Sequence, residues 1–295
     1  MSSEIRSIRN VKIAYFSGTG NTKKVAGCVA EAFRNKGIDT AILEMNMVEN
    51  HGGMHEDMLV ILFPVHAFNA PEPVYEWILK LEQADQVKAV VISVSGGGEV
   101  TPNTACRLSC ISRLQNRGYE VVYEKMIVMP SNIFVKTGDE LALRLLEILP
   151  FKVEGIVKEI LAGVMHRTKP NRINRCVSLI GEFEKSGTGY FGKRISAGEN
   201  CDGCGWCEKN CPRTNITFKN NKPVFGGKCM LCLKCIYGCP RNALKPGICK
   251  FVVLKNGYNL CGIEKRVKVE GRSKLGTEEL TRGFLWKGVR KYISD

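Results

Sequence analysis

Two copies of one cysteine pattern constrain this sequence more than any other feature. Eight of its 14 cysteines follow the spacing C-x2-C-x2-C-x3-C-P twice: Cys201, Cys204, Cys207 and Cys211 before Pro212, then Cys229, Cys232, Cys235 and Cys239 before Pro240. With this spacing, three thiolates on successive tight turns reach three irons of one cubane, while the fourth belongs to the other cluster. The repeat therefore predicts two [4Fe–4S] clusters that exchange their fourth ligands.

The predicted ligand sets follow from that exchange. We expect one cluster on Cys201, Cys204, Cys207 and Cys239, and the other on Cys229, Cys232, Cys235 and Cys211. The alternative is a pair of zinc sites, but zinc is usually held by two separated C-x2-C pairs and does not call for four cysteines and a proline per repeat. Disulfides belong mainly to small secreted domains, and the N-terminus lacks the apolar segment of a signal peptide.

Around these cysteines the chain resembles bacterial two-cluster ferredoxins, over residues 192–245. The resemblance implies a small α+β domain that carries electrons. One departure concerns charge, because many such ferredoxins are acidic, whereas this segment has 10 basic and 3 acidic residues. Its docking mode is therefore expected to differ from that of an acidic carrier.

The first 165 residues alternate strand-like and helix-like segments. Predicted strands cover 11–16, 40–43, 58–63, 89–94 and 120–128, with helical spacing between them, and a long helix over 140–161 is expected to break near Pro150. Parallel strands need crossover connections, which the intervening helices provide. The segment is therefore predicted to be an α/β domain with a doubly wound five-stranded parallel sheet.

A glycine-rich turn lies where the first predicted strand meets the first helix. It reads Ser17, Gly18, Thr19, Gly20, Asn21 and Thr22. Hydroxyls that alternate with glycines can surround a phosphate at a helix N-terminus. The lysine of a Walker A loop and the G-x-G-x-x-G spacing are both missing, which favours a monophosphate over a triphosphate or a dinucleotide. An ordinary tight turn with a helix cap is the alternative.

This hexapeptide resembles the FMN-phosphate loop of flavodoxins, and the resemblance implies a flavodoxin-like fold that binds FMN. Two later loops then fall where that fold holds the flavin ring: Pro64, Val65, His66, Ala67, Phe68 and Asn69, and Ser95, Gly96, Gly97 and Gly98. His66 or Phe68 is a candidate to stack on the ring, with packing under the loop as the alternative for each. The glycines would let a peptide carbonyl turn toward the flavin, and residues 129–132 would close the pocket.

The order of the modules is similar to a family of flavodoxin–ferredoxin fusion proteins of anaerobic bacteria and archaea. We expect a flavodoxin-like FMN domain at 1–165, a linker at 166–191, a two-cluster ferredoxin domain at 192–245 and a basic C-terminal extension at 246–295. The expected function is electron transfer between FMN, the two clusters and partner redox proteins. The alternatives are an FMN-dependent reductase of a quinone or other small acceptor, and a redox-sensing regulatory module.

Charge and hydropathy bear on partners and location. The net charge of +14 is carried by the C-terminal half, since residues 1–165 hold 17 basic and 19 acidic residues. This asymmetry predicts partners with an acidic docking surface. No aromatic-interleaved nucleic-acid motif occurs, and no apolar run approaches the roughly 20 residues of a membrane span. We therefore expect a cytoplasmic protein that binds no nucleic acid and does not span a membrane.

Overall fold

The computed structural model describes residues 8–45, 56–270 and 275–295, without the side chains of 179–187, 249 and 267–270. Strands and helices alternate through its first half. The strands are β1 (Asn10–Tyr15), β2 (Asp39–Glu44), β3 (Met58–Pro64), β4 (Val87–Ser95) and β5 (Tyr119–Val128). The helices are α1 (Asn21–Arg34), α2 (Glu72–Leu79), α3 (Leu108–Asn116) and α4 (Asp139–Leu161).

The five strands form one parallel sheet in the order β2-β1-β3-β4-β5. This is the strand order of flavodoxin-like doubly wound sheets, so the predicted fold class is confirmed. The direction of winding changes between β1 and β3. In such sheets ligands bind outside the carboxyl ends of the strands at this switch point. The loops that follow β1, β3 and β4 all lie at that edge.

Both faces of the sheet are buried. α1 and α4 cover one face, where Ile13, Val60 and Phe33 are fully buried. α2 and α3 cover the other face around Ile61 and Ile78. Strands covered on both sides read as continuous apolar runs, as β3 does with its sequence Met-Leu-Val-Ile-Leu-Phe. The sheet is therefore a rigid base for the loops at its edge.

The predicted break in the long helix is wrong, because α4 continues through Pro150. Proline removes one backbone hydrogen bond and usually bends a helix. Here Pro150 faces solvent, while Leu146, Leu149 and Val153 bury one continuous face against the sheet core. Burial of that face on both sides of the proline keeps the two halves in one helix.

The cysteine-rich part is a small α+β arrangement that follows α5 (Arg172–Gly192). It contains β6 (Ser196–Ala197), α6 (Trp206–Lys209), β7 (Ile216–Lys219), β8 (Lys222–Phe225), α7 (Lys234–Gly238) and β9 (Leu244–Lys245). β6 pairs with β9 and β7 with β8, both antiparallel. Its core is formed by apolar side chains and by the cysteines themselves. The domain boundaries stay a prediction.

The C-terminal residues fold back onto the first half of the chain. They form α8 (Leu260–Glu270), α9 (Thr277–Leu280) and α10 (Lys287–Ser294). Leu260 of α8 joins the core between the sheet and α1, and Val289 of α10 packs with Val128 and Leu141. In the part of the chain that the structure describes, no helix is long and apolar enough to cross a membrane.

Candidate functional site

The eight repeated cysteines line two separate cavities. The first has about 420 Å³ of open space and is lined by Cys211, Cys229, Cys232 and Cys235, together with apolar residues such as Ile216. We call these four cysteines the inner tetrad. The fourth member, Cys211, comes from the other repeat. The fold therefore gathers the same four residues that the spacing assigns to one cluster.

The second cavity has about 300 Å³ of space, part of it open to solvent, and is lined by Cys201, Cys204, Cys207 and Cys239, which we call the outer tetrad. Its fourth member, Cys239, again comes from the other repeat. Within the described residues, no group of three or more His, Cys, Asp or Glu side chains is placed to hold a single metal ion. The use of these eight thiols as cluster ligands stays a prediction.

The two repeats have the same backbone conformation, which explains how each wraps a cavity. The residues on either side of the second cysteine have positive φ in both copies: Gly203 and Gly205 at 74°, and Leu231 and Leu233 at 53° and 60°. Non-glycine residues rarely adopt this conformation, and it is maintained only where the surroundings enforce it. The resulting tight turns bring three cysteines of each repeat to the lining of one cavity.

Backbone donors also recur at equivalent positions. The N–H of Asn215 donates to Cys211 Sγ at 3.4 Å, and the N–H of Ala243, the matching residue of the second repeat, donates to Cys239 Sγ at 3.3 Å. Leu231 N–H donates to Cys229 Sγ at 3.4 Å. Such donors stabilise negative charge on sulfur and so tune the potential of an iron–sulfur cluster.

Burial raises the pKa of three of these thiols. Burial raises the pKa of Cys232 to about 12, and it raises the pKa of Cys235 and of Cys207 as well. A thiolate in a low-dielectric cavity needs a positive partner, and a bound metal supplies one. The donor set of each cavity, four sulfurs with N–H groups behind them, fits an iron–sulfur cluster.

The 17–22 loop leaves polar groups unsatisfied at the start of α1. Among the described residues, no side chain caps the first turn of α1, whose N-cap Gly20 is left-handed. Thr22 is 1% exposed, and its Oγ1 has no hydrogen-bond partner in the described part of the chain. A buried hydroxyl without a partner costs free energy, which a bound anion would relieve.

The rest of this loop is held from behind. Ser17 Oγ accepts from the N–H of Gly20 at 3.1 Å. Asn132 Nδ2 donates to Thr19 Oγ1 at 2.6 Å, and Asn21 Nδ2 donates to the carbonyl of Pro130 at 2.9 Å. The segment after β5, which the sequence suggested as a pocket wall, therefore supports the 17–22 loop directly.

The 64–69 and 95–98 loops, which were predicted to hold the flavin ring, lie side by side. The N–H of Val65 donates to the carbonyl of Val94 at 2.9 Å, which joins the 64–69 loop to the start of the 95–98 loop. His66 pairs with Asn69 across a tight turn, in which Ala67 and Phe68 have φ of 45° and 58°. The strained turn fixes the direction of this loop.

The 95–98 loop contacts the segment after β5 and a residue beyond β4. A Cβ added at Gly96 would lie 2.9 Å from Ser131 Cβ, and Asn103 Nδ2 donates to the carbonyl of Gly98 at 3.2 Å. The loops after β1, β3 and β4 thus meet at one edge of the sheet. Stacking by His66 or Phe68 stays a prediction.

The C-terminal half covers all three loops. A Cβ at Gly18 would lie 2.5 Å from the carbonyl oxygen of Cys232, so the 17–22 loop touches the inner tetrad. Asn69 Nδ2 donates to the carbonyl of Ser178 on α5 at 2.6 Å. A Cβ at Gly98 would lie 2.6 Å from the backbone of Gly288 on α10. These contacts join residues far apart in the sequence, and no spacing in the chain signals them.

Sequence reasoning also missed a buried charge network behind the 95–98 loop. Arg107 is fully buried and donates to Glu99, to Glu124 Oε2 at 2.7 Å, to Ser93 Oγ at 2.8 Å and to Thr168 Oγ1 at 2.8 Å. Burial alone would raise the pKa of Glu99, but the guanidinium of Arg107 lowers it below its usual value. The network fastens the end of this loop to β4 and β5.

Comparison with known proteins adds partial structural likenesses. No family model matches the chain, and no curated protein matches it in sequence. A flavodoxin of Streptococcus pneumoniae TIGR4 matches 52% of this chain and 99% of its own at 18% identity, with a TM-score of 0.40. A flavodoxin of Bacillus cereus matches 50% of this chain and 97% of its own at 17% identity, with a TM-score of 0.37.

A third match is rubredoxin oxygen:oxidoreductase from the anaerobe Desulfovibrio gigas. It covers 52% of this chain and 36% of its own at 16% identity, with a TM-score of 0.36. The fold assignment follows from the strand order itself.

Proposed function

We propose that the chain is an electron-transfer protein in which two [4Fe–4S] clusters and FMN exchange electrons with each other and with partner redox proteins. The observation that supports it most directly is the gathering of eight cysteines into two cavities, with the fourth member exchanged in each. Each cluster would supply one-electron oxidation and reduction, and the protein would supply burial and N–H donors.

The unsatisfied polar groups at the start of α1 support FMN as the second cofactor. The backbone N–H groups of the first turn and the hydroxyl of Thr22 would bind its phosphate. The 64–69 and 95–98 loops lie at the same sheet edge, where this strand order places a flavin. FMN would supply a centre that holds one or two electrons, while the clusters carry one each.

Contact between the two halves supports transfer within one chain. Gly18 of the 17–22 loop touches the backbone of Cys232. A fused pair of centres exchanges electrons without a bimolecular encounter, which raises their effective concentration. The chain itself would hold the two sites in contact with each other.

The covering of the loops favours a carrier over a reductase of small molecules. α5 lies against Asn69 and α10 against Gly98. A quinone or other small acceptor would need access to the flavin at these loops. The C-terminal half contacts these loops at Asn69 and Gly98, which favours electron exchange with partner proteins over reduction of a small acceptor.

Anaerobic purification tests the clusters. Iron, acid-labile sulfide and zinc should be counted on the same sample, together with EPR spectra of the reduced protein. We expect about eight irons and about eight sulfides per chain and a brown colour. A colourless protein that contains zinc instead of iron would rule out the proposal.

Flavin titration tests the phosphate site. Thr22→Val should weaken FMN binding about 10- to 100-fold, the range expected when a buried hydrogen bond to a charged group is lost. Riboflavin has no phosphate, so its affinity should not change. Thr217→Val, at an exposed position of β7, is the matched control. Equal losses for both flavins would place the phosphate elsewhere.

A further inference from the structure

The two tetrads differ in how closely they are held by the rest of the chain. The inner tetrad is covered on one side by the end of α5, where Thr188 Oγ1 donates to the carbonyl of Cys229 at 2.9 Å. A Cβ at Gly192 would lie 2.0 Å from Cys229 Cβ. On another side Cys232 touches the 17–22 loop at Gly18. The inner tetrad therefore lies between α5 and the sheet edge.

Ion pairs connect the residues next to the inner tetrad to the first half of the chain. Lys234 Nζ, next to Cys235, lies 3.3 Å from Glu44 of β2. Arg213 lies 3.1 Å from Glu72 and 2.7 Å from Glu76, both on α2. Because Arg213 follows Cys211 by two residues, these contacts fix both repeats of the inner tetrad against the sheet domain.

The outer tetrad reaches the surface at Cys204, although Cys207 of the same tetrad is buried. Cys204 is exposed and Cys201 is partly exposed. The tip of the β7–β8 hairpin lies against this tetrad, since a Cβ at Gly203 would meet the side chain of Asn221 at 2.2 Å. An electron carrier exchanges electrons most readily where a centre approaches its surface, and of the two tetrads only the outer one has an exposed cysteine.

Basic side chains surround this exposed tetrad. Around it are five exposed cations and three exposed acids. The cations are Lys209, Lys219, Lys222, Arg241 and Lys245, and the acids are Glu199, Asp202 and Glu208. We call the five cations the basic rim. Arg241 Nε pairs with Asp202 at 2.8 Å, and Lys222 Nζ donates to the carbonyl of Cys201 at 3.0 Å.

Two further members of the basic rim lie beside the segment that carries the first cysteine repeat. Lys209 Cε would lie 3.9 Å from a Cβ at Gly205, beside Cys204, and Lys245 Cε would lie 2.9 Å from a Cβ at Gly198. Positive charge is therefore concentrated where the outer tetrad meets solvent. Complementary charge steers association and raises its rate at low salt.

We propose that the outer tetrad is the site where this protein exchanges single electrons with an acidic electron-carrier protein, which docks on the basic rim. The inner tetrad then connects the outer one to the flavin site. The inference rests on the proposed function. In each encounter the reduced carrier loses one electron and this chain gains one, or the reverse, and no bond is formed or broken.

Stopped-flow reduction of the cofactor-loaded protein by a reduced acidic two-cluster ferredoxin tests this assignment. Lys209→Glu combined with Lys245→Glu should lower the second-order rate constant at least about 10-fold at low ionic strength. The difference should shrink at high salt, because screening weakens the steering. Lys222 is left unchanged, since it holds the cysteine loop.

Two control variants make the result specific to position. Lys158→Glu changes an exposed lysine in the last turn of α4 and should leave the rate within about twofold of the parent. Lys250→Glu with Lys255→Glu reverses two exposed charges in the segment that carries Phe251, whose ring stacks on Phe134. If this pair of substitutions slows transfer and the rim pair does not, the outer tetrad is not the docking site.

Cofactor analysis separates this inference from the proposed function. Iron, sulfide and flavin contents and EPR spectra of the Lys209→Glu, Lys245→Glu protein should match those of the parent. A parent protein without clusters would defeat the proposed function itself. A fully loaded variant that reacts as fast as the parent at every ionic strength would defeat only the docking assignment.

Discussion

The buried guanidinium of Arg107 gives the sharpest prediction about the sheet domain. We expect Arg107→Leu to destabilise β4, β5 and the 95–98 loop, because the substitution leaves Glu99 and Glu124 without their shared cation. Glu124 would keep Arg167, at 3.1 Å, and Glu99 would keep the hydroxyl of Thr168, at 3.0 Å. The loss is therefore partial for each carboxylate.

The magnitude can be worked out in two ways. Removal of one partner from a buried ion pair costs about 3–5 kcal/mol. Two lost hydrogen bonds to charged groups, at about 1.5–3 kcal/mol each, give a similar figure. A difference of about 1.4 kcal/mol changes the equilibrium constant for opening by a factor of ten. Amides that exchange through opening of this region should therefore exchange about 100- to 4,000-fold faster.

Hydrogen exchange measured by mass spectrometry on peptides from β4 and β5 is the assay. Arg144→Leu is the matched control, since Arg144 pairs with Glu147 at a partly exposed site and should cost no more than about 1 kcal/mol. Arg107→Lys should restore only part of the protection, because an ammonium does not bridge two carboxylates as a guanidinium does.

The pH dependence gives a second readout with a definite sign. The pKa of Glu99 is lowered in the folded protein, so its contribution to stability is present above its unfolded pKa and is lost as pH falls. Without Arg107, burial dominates and the pKa of Glu99 should rise, which reverses the slope. Protection in Arg107→Leu equal to that of Arg144→Leu, with an unchanged slope, would refute this account.

Three further predictions concern the C-terminal segments. Leu260→Ala should lower the free energy of unfolding, measured by heat or denaturant, by about 2–5 kcal/mol, because Leu260 fills the core beside α1. Leu285→Ala, at an exposed position, should change this free energy little. Hydrogen bonds and charge from Arg266 and Lys136 lower the pKa of Asp139 to about 2, so its stabilisation is complete above about pH 3.8 and disappears toward pH 2. Asp139→Asn should reduce the change in unfolding free energy between about pH 3.8 and pH 2. An unchanged pH dependence would contradict the pairing of Asp139 with Arg266 and Lys136. Tyr258→Phe should lower the free energy of unfolding by about 1–3 kcal/mol, because the tyrosine hydroxyl donates to Asn21 Oδ1 in the 17–22 loop. A variant as stable as the parent would show that this hydrogen bond contributes nothing.

Local pattern determined the elements of the first half, whereas α5 occupies most of the predicted linker at 166–191 and β6 to β9 were not predicted. Apolar runs and helical spacing predicted the five strands and their order of connection, because periodicity reports which side of an element is buried. The cysteine spacing predicted which residues would gather, since three of each four ligands lie within one tight loop. The exception was Pro150, where burial on both sides of a helix outweighed a local helix breaker.

Only the tertiary structure decided how the parts are arranged. The sequence treats the two cysteine repeats as equals, but contacts at Gly18 and α5 make one tetrad inner and leave the other at the surface. The sequence likewise suggested a basic tail at 246–295, whereas Leu260 and Val289 pack into the first half of the chain. Arg107 carried no signal because charged residues usually face solvent, and its burial depends on partners that lie up to 61 positions away. Spacing along the chain records local geometry, while these contacts exist only after distant segments have packed together.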